Sequence, residues 1–263
     1  MLNKIVPGLQ PKKLNKFIPD KKMLDDNVGF VEILEVFGSD LTIANAARVS
    51  FNKESEFEPV KIGYGDGAKI IGYKLSTRDE KLIQYLAEND HVTPFFHPQI
   101  RFRIKMPIFV IREWYRHTIG FARNEVSRRY VTYEPEFFVP RELRKKDENV
   151  KQGSSSEVVD NSDEQIKLMN DYCKKALEYY NSLLEDGVCP EQARMILPQS
   201  MYTEFIETAS LAGYARLVNL RLDSSAQLEI RKYANIVSCM LTKFFPVSWR
   251  TLIKSDYLER KVS

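Results

Sequence analysis

Eight residues, Gln99 to Met106, constrain the fold of this chain more than any other stretch. Ile100, Phe102, Ile104 and Met106 alternate with Gln99, Arg101, Arg103 and Lys105. Successive side chains of a strand point to opposite faces, so this period-2 pattern specifies a strand with one buried and one polar face. Pro107 follows and opens an apolar segment, Ile108 to Tyr115, that reads as a helix. Proline suits that position because the first N–H groups of a helix have no intrahelical partner.

The flanking segments add helices more than strands. Val31–Phe37 is β-branched and aromatic and reads as a strand. Asp40 or Thr42 is placed to cap a short helix through Ala47. Residues 52–76 hold four glycines and read as an inserted loop or hairpin. Thr77 and Glu80 stand at capping-box spacing ahead of Leu82, Ile83 and Leu86. Residues 141–163, charged and serine-rich, read as a mobile insertion. Ser162 and Gln165 are placed to cap a helix with an apolar face of Ile166, Met169, Tyr172, Cys173, Ala176 and Tyr180, stopped by Gly187. A short segment from Pro190 to Pro198 and helices over Ala209–Leu220 and Ser224–Phe244 complete the chain. The class is α+β, helix-dominated after residue 164, with neither βαβ alternation nor a glycine-rich dinucleotide fingerprint. One domain spans 28–250, between an irregular N-terminal arm (1–27) and a C-terminal tail (251–263).

Composition narrows the function. With 39 basic against 36 acidic residues, the net charge of +3 does not suit a dedicated nucleic-acid binder. Cys173, Cys189 and Cys239 are widely spaced, with no C-x-x-C and no nearby histidine, so neither a metal site nor a disulfide framework is expected. No apolar run is long enough to span a membrane, and no secretion signal is visible, which points to a cytoplasmic protein.

Arg116–Tyr130, RHTIGFARNEVSRRY, concentrates four arginines, a histidine and an Asn-Glu pair in fifteen residues. Arginine forks match phosphate oxygens two at a time, and a carboxylate among them can hold one fork in place. By composition alone the segment reads as a solvated basic loop or a nucleic-acid patch. Its order resembles the signature of the flavin-dependent thymidylate synthases: Arg-His-Arg, a spacer, then Asn-Glu-x-Ser-x-Arg-Tyr. Arg116 and His117 open it, and Asn124, Glu125, Ser127, Arg129 and Tyr130 close it. Thr118 stands where the family has its second arginine, and the spacer is one residue longer. Further blocks resemble the same family in the same order: Ala47–Phe51, His91-x-Thr93-Pro94-Phe95-x-His97, Ala193-Arg194-x-Ile196-Leu197-Pro198, and Asn219-Leu220-Arg221-x-Asp223-x-x-Ala226-Gln227-x-Glu229-Ile230. For the last block the plain alternative is helix-end ion pairing among Arg221, Asp223 and Glu229.

The resemblance implies an antiparallel central sheet with flanking helices. It also implies methylation of deoxyuridine monophosphate (dUMP) to dTMP, with methylenetetrahydrofolate as carbon donor and NADPH-reduced FAD as hydride source. Arg221 is implied to activate the uracil. Glu113, Arg116, Glu125, Ser127, Arg128, Arg129 and Arg194 are implied to hold the nucleotide, its phosphate lying against Arg129 and Arg194. Ser50, His91, Thr93, Arg116, His117, Thr118, Ile119, Asn124 and Glu125 are implied to contact FAD. Departures gather on the flavin side: Thr118, Phe96, Ala212 and Ser225 replace residues usual in the family. Arg123 and Arg216, each close in sequence to a missing group, are placed to compensate. A homotetramer with shared active sites is implied, with no nucleic-acid partner. Two other readings stay open, a divergent relative hydroxymethylating another pyrimidine nucleotide and a non-enzymatic nucleotide- or nucleic-acid-binding protein.

Overall fold

The alternating segment is the central strand of a five-stranded antiparallel sheet. The computed structural model describes residues 19–63, 69–147 and 154–258. Its strands are β1 (Asp20–Met23), β2 (Phe30–Phe37), β3 (Glu58–Ile62), β4 (Lys69–Lys74), β5 (Gln99–Pro107), β6 (Phe121–Glu125), β7 (Arg144–Lys146), β8 (Ser154–Val158) and β9 (Tyr202–Ser210). The main sheet runs β1-β2-β5-β9-β6, and β3-β4 and β7-β8 form separate two-stranded ribbons. The helices are α1 (Asp40–Arg48), α2 (Thr77–Glu88), α3 (Ile108–Trp114), α4 (Ser162–Glu185), α5 (Pro190–Ala193), α6 (Leu211–Arg221), α7 (Leu228–Phe244), α8 (Ser248–Leu252) and α9 (Ser255–Leu258). Among the described residues no helix is long and apolar enough to cross a membrane, and no cluster of side chains could hold a metal ion.

Period-2 patterning decides which sheet face is buried. Val31, Ile33, Ile100, Phe102, Ile104 and Met106 are fully buried, and Tyr214, Leu217, Tyr233 and Val237 of α6 and α7 join them in one core. Burying each such side chain contributes about 1.5–3 kcal/mol. On the opposite face the polar partners form cross-strand ion pairs, Arg101 with Glu35 at 2.9 Å and Arg103 with Glu204.

Several expectations are corrected. β9, the neighbour of β5 along its whole length, was not anticipated, and Ala209 is in this strand rather than opening a helix. Its pattern is misleading: Ile206 is exposed while Glu207 faces the core. β6 lies hidden inside the arginine-rich segment. Asp20–Met23, expected in an irregular arm, pair with β2; residues 1–18 of that arm lie outside the described residues. The expected insertion at 141–163 contains the β7–β8 ribbon. On α4 only Cys173 and Tyr180 of the expected apolar face are buried, while Met169 and Tyr172 are exposed, because α4 packs along a narrow stripe against α5 and the turn after it.

The caps move by one residue. Ser76, not Thr77, caps α2, its side chain accepting from the Asp79 N–H at 3.1 Å. Ser39 caps α1, and its N–H donates to the Thr42 hydroxyl at 3.0 Å. Asn161 precedes α4, and the Ser162 hydroxyl instead accepts from the Leu143 N–H at 2.8 Å. Asp40, freed from capping, is buried and accepts from Val247 N–H (2.9 Å), Ser248 N–H (3.0 Å) and the Ser248 hydroxyl (2.5 Å). It ties the start of α1 to the start of α8. Asp40→Ala strands those donors, so urea denaturation should show an unfolding free energy lower by about 2–3 kcal/mol; a change under about 0.5 kcal/mol would remove Asp40 from this role.

Candidate active site

Chain geometry gathers the motif at one end of the sheet. α3 leaves β5 directly, a loop turns through Gly120 in the left-handed region (φ +76°), and β6 then pairs with β9. α6 begins where β9 ends, with the Ser210 hydroxyl accepting from the Gly213 N–H at 3.1 Å. The first turn of α6 therefore lies beside the loop. The ideal Cβ position at Gly213 is only 3.2 Å from the Phe121 ring, so a larger residue would push the two apart.

Arg221 closes α6 and reaches across to α3 and the loop. Its Nε donates to His117 Nε2 at 3.0 Å, and its Nη2 donates to the Glu113 carbonyl at 3.0 Å. Its Nη1 lies 3.4 Å from the Glu113 carboxylate. Beside this cluster opens a cavity of about 300 Å³. The loop supplies Arg116, His117, Thr118 and Ile119, and β6 supplies Phe121; α6 supplies Ala212, Gly213, Arg216, Leu220 and Arg221; Phe96 closes one wall. The ion pairing weighed for Arg221, Asp223 and Glu229 does not form: Asp223 accepts from Ser225 and Tyr257, and Glu229 binds Arg144 at 3.0 Å.

A second cavity, of about 480 Å³, lies near the other end of β9 and is lined by Glu125, Arg128, Arg194, Tyr133, Glu191 and Thr203, among others. The Glu125 carboxylate accepts from the Thr203 hydroxyl at 2.8 Å. Arg128 is buried, donates to the Tyr133 carbonyl and lies 4.5 Å from the centre of the Tyr133 ring. Arg129 is exposed, with its Nε 3.3 Å from the Ser127 hydroxyl.

The expected site residues thus divide. Glu113, Arg116, His117, Thr118, Ile119, Arg216 and Arg221 come together at the first cavity. Glu125, Arg128 and Arg194 line the second, with Ser127 and Arg129 adjacent in sequence. Ser50, His91 and Thr93 line neither. His91 packs edge-on against Tyr85 at 5.9 Å, Ser50 lies in the exposed turn after α1, and Thr93 opens the turn that carries Phe96. Asn124 is exposed on β6, opposite Ile206. Arg123 is not free to replace a missing cofactor contact, because its Nε donates to Glu207 at 2.8 Å and its side chain is 12% exposed. Phe121, Gly213 and Leu220 were missed, having no polar signal to mark them.

Burial, and then the charges of Arg221, Arg123 and Arg216, push the His117 imidazole down from 6.5 to about 4. It is neutral at pH 7, as accepting from Arg221 requires. Between those two values the unfolded chain binds the extra proton, so this contribution to stability is full above about pH 6.5 and declines as pH falls toward 4. NMR titration should place the His117 midpoint below 5, and His117→Gln should flatten the pH dependence of stability in that window; a midpoint near 6.5 contradicts the geometry.

Comparison with known proteins identifies the family. Residues 32–247 match the model of the family described as thymidylate synthase complementing protein. The flavin-dependent thymidylate synthase of Kosmotoga olearia is 37% identical over 232 residues, which is 87% of this chain and 92% of the relative. That of Thermus thermophilus is 35% identical over 236 residues, covering 88% and 80%. Among solved structures, a UMP/dUMP methylase, PolB of Streptomyces cacaoi bound with 5-Br UMP, superposes with a TM-score of 0.69 at 26% identity, over 88% of this chain and 93% of that one. The family match takes in the lining residues of both cavities, and the chain belongs to the flavin-dependent thymidylate synthase family.

Proposed function

We propose that this protein methylates dUMP at C5 to give dTMP, with methylenetetrahydrofolate as carbon donor, NADPH as reductant and FAD as cofactor. The observation that carries the reading is Arg221, held by His117 and Glu113 at the edge of a cavity walled by further arginines. The first cavity suits an anionic, aromatic cofactor. Arg116 and Arg216 line it without a carboxylate in ion-pair range among the described residues, the first turn of α6 adds the positive end of a helix, and Phe96, Ile119, Phe121 and Leu220 give it apolar walls. Arg116, His117, Thr118, Ile119 and Arg216 would hold FAD, which supplies the hydride when bound. Arg216 takes the compensating role that Arg123 cannot.

The side chains supply polarisation and position. A pyrimidine C5 attacks weakly unless charge pushed onto the ring oxygens is stabilised. Three of the five N–H donors of Arg221 are committed to His117 and Glu113, which fixes the guanidinium plane and leaves two for a uracil edge. Neutral His117 adds no second positive charge there. Arg194 and Arg129 hold the phosphate, with Ser127, Glu125 and the backbone beside Arg128. No cysteine acts as nucleophile: Cys173 is buried, and Cys189 and Cys239 line neither cavity.

Arg221 and Arg194 stand on different cavities of one chain, so the reading requires copies of the chain to complete each other's sites. A homotetramer meets that requirement and fits the closed symmetry usual for such assemblies. Arg221→Ala should leave folding intact and reduce dTMP formation roughly 100–1,000-fold, and unchanged turnover removes it from catalysis. Mixing inactive Arg221→Ala and Arg194→Ala chains should restore up to about a quarter of the sites if each site draws on two copies, and none if both residues act within one chain.

A further inference from the structure

Glu207 is fully buried at the middle of β9, outside both cavities. Its carboxylate faces the Tyr214 hydroxyl of α6 and makes two bonds to opposite ends of the same loop. One oxygen accepts from the Trp114 indole N–H at 3.0 Å, where α3 ends. The other accepts from Arg123 Nε at 2.8 Å, in the register pair where β6 meets β9. Between those two contacts lie residues 115–122, the loop that carries Arg116, His117, Thr118 and Ile119 together with the first two residues of β6. The Arg123 guanidinium is also stacked between rings of the loop's flanks, 4.8 Å from the centre of Tyr115 and 4.5 Å from that of Phe121. A charge without access to water is costly to bury unless it is fully paired. A carboxylate here instead of a packed apolar residue therefore calls for a role, and the geometry supplies one.

We propose that Glu207 is a positioning residue for the reaction, touching neither substrate nor cofactor and stapling both ends of the 115–122 loop so that His117 meets Arg221 in a single arrangement. The inference rests on the assigned activity only for its kinetic consequence; the staple itself can be read in the free protein. Glu207→Gln keeps the shape and an acceptor for Trp114 while removing the charge that binds Arg123. His117 is faced by Arg221 and Arg216 from α6, by Arg123 from β6 and, through Arg221, by Glu113 from α3. If the loop stayed rigid, removing a negative charge would push the imidazole further down. If the staple is released, water reaches His117 and its midpoint rises toward 6.5. The two outcomes have opposite signs.

The experiment is NMR titration of His117 in the ligand-free Glu207→Gln protein, together with its rate of dTMP formation. The midpoint should rise by at least about one unit, and kcat should fall roughly 10–100-fold through misplacement of the loop. Asp40→Ala, which weakens the junction of α1 and α8 without removing a bond to the loop, should move neither the midpoint nor kcat. If Glu207→Gln does not fold, Arg123→Lys retains the charge, loses the stacked plane and should raise the midpoint in the same way. A His117 midpoint unchanged or lower in the folded variant overturns the staple. A wild-type protein that makes no dTMP overturns the assigned reaction while leaving the titration result standing.

Discussion

The arrangement depends on a charge where a sheet normally holds a hydrocarbon. Glu207 sits on the inward face of β9 between Phe205 and Ala209, and burial pushes its carboxyl up even though Arg123 and Trp114 favour the charged form. Such a group is tolerated because the elements around it answer it: an indole N–H from α3, a guanidinium from β6 and aromatic rings on both sides of that guanidinium. Loss of one partner would leave the remainder buried and unmatched, which costs more than the pair contributes. The interaction therefore stabilises the sheet only modestly while specifying strongly how the loop crosses its end.

From that fixed loop the chemistry of the cavity follows. α6 starts where β9 ends, so the helix direction is set by the same strand that carries Glu207. Its last residue, Arg221, arrives at the loop already aimed at His117 and Glu113. Burial, and then the charges of three cationic side chains nearby, keep the imidazole neutral. A neutral acceptor beside a permanently charged donor suits a site that must stabilise negative charge on a ligand without titrating in the physiological range. The residues proposed to hold the nucleotide phosphate stand at the far end of β9, which makes assembly between copies part of the proposed mechanism and not an accessory to it.

Much of this was legible in the sequence, and the losses have physical reasons. β5 was visible because Ile100, Phe102, Ile104 and Met106 alternate with polar residues, and α3 because Pro107 marks its start. The arginine motif and the block around Arg221 pointed to the same family, and the structure joins them through His117. β9 was not visible, because its buried position 207 is a glutamate and its exposed position 206 an isoleucine, the reverse of what periodicity looks for. β6 was masked by polar residues whose partners come from elsewhere in the fold. Arg123 looked available for a ligand because nothing local showed that a residue 84 positions away had claimed it. Cap positions slipped by a residue at Ser39 and Ser76, where a run of hydroxyl and acidic groups offers several equivalent starts.

The most direct test of the central claim is to follow the flavin spectrum and the nucleotide product together. The purified protein with FAD is reduced by NADPH under anaerobic conditions, then given dUMP and methylenetetrahydrofolate, and the nucleotide is identified by mass spectrometry. The account expects bound FAD, reoxidation that requires both co-substrates, and one dTMP formed per flavin reoxidised. Nucleotide binding without bound flavin, or flavin reoxidation with no methylated product, would contradict it.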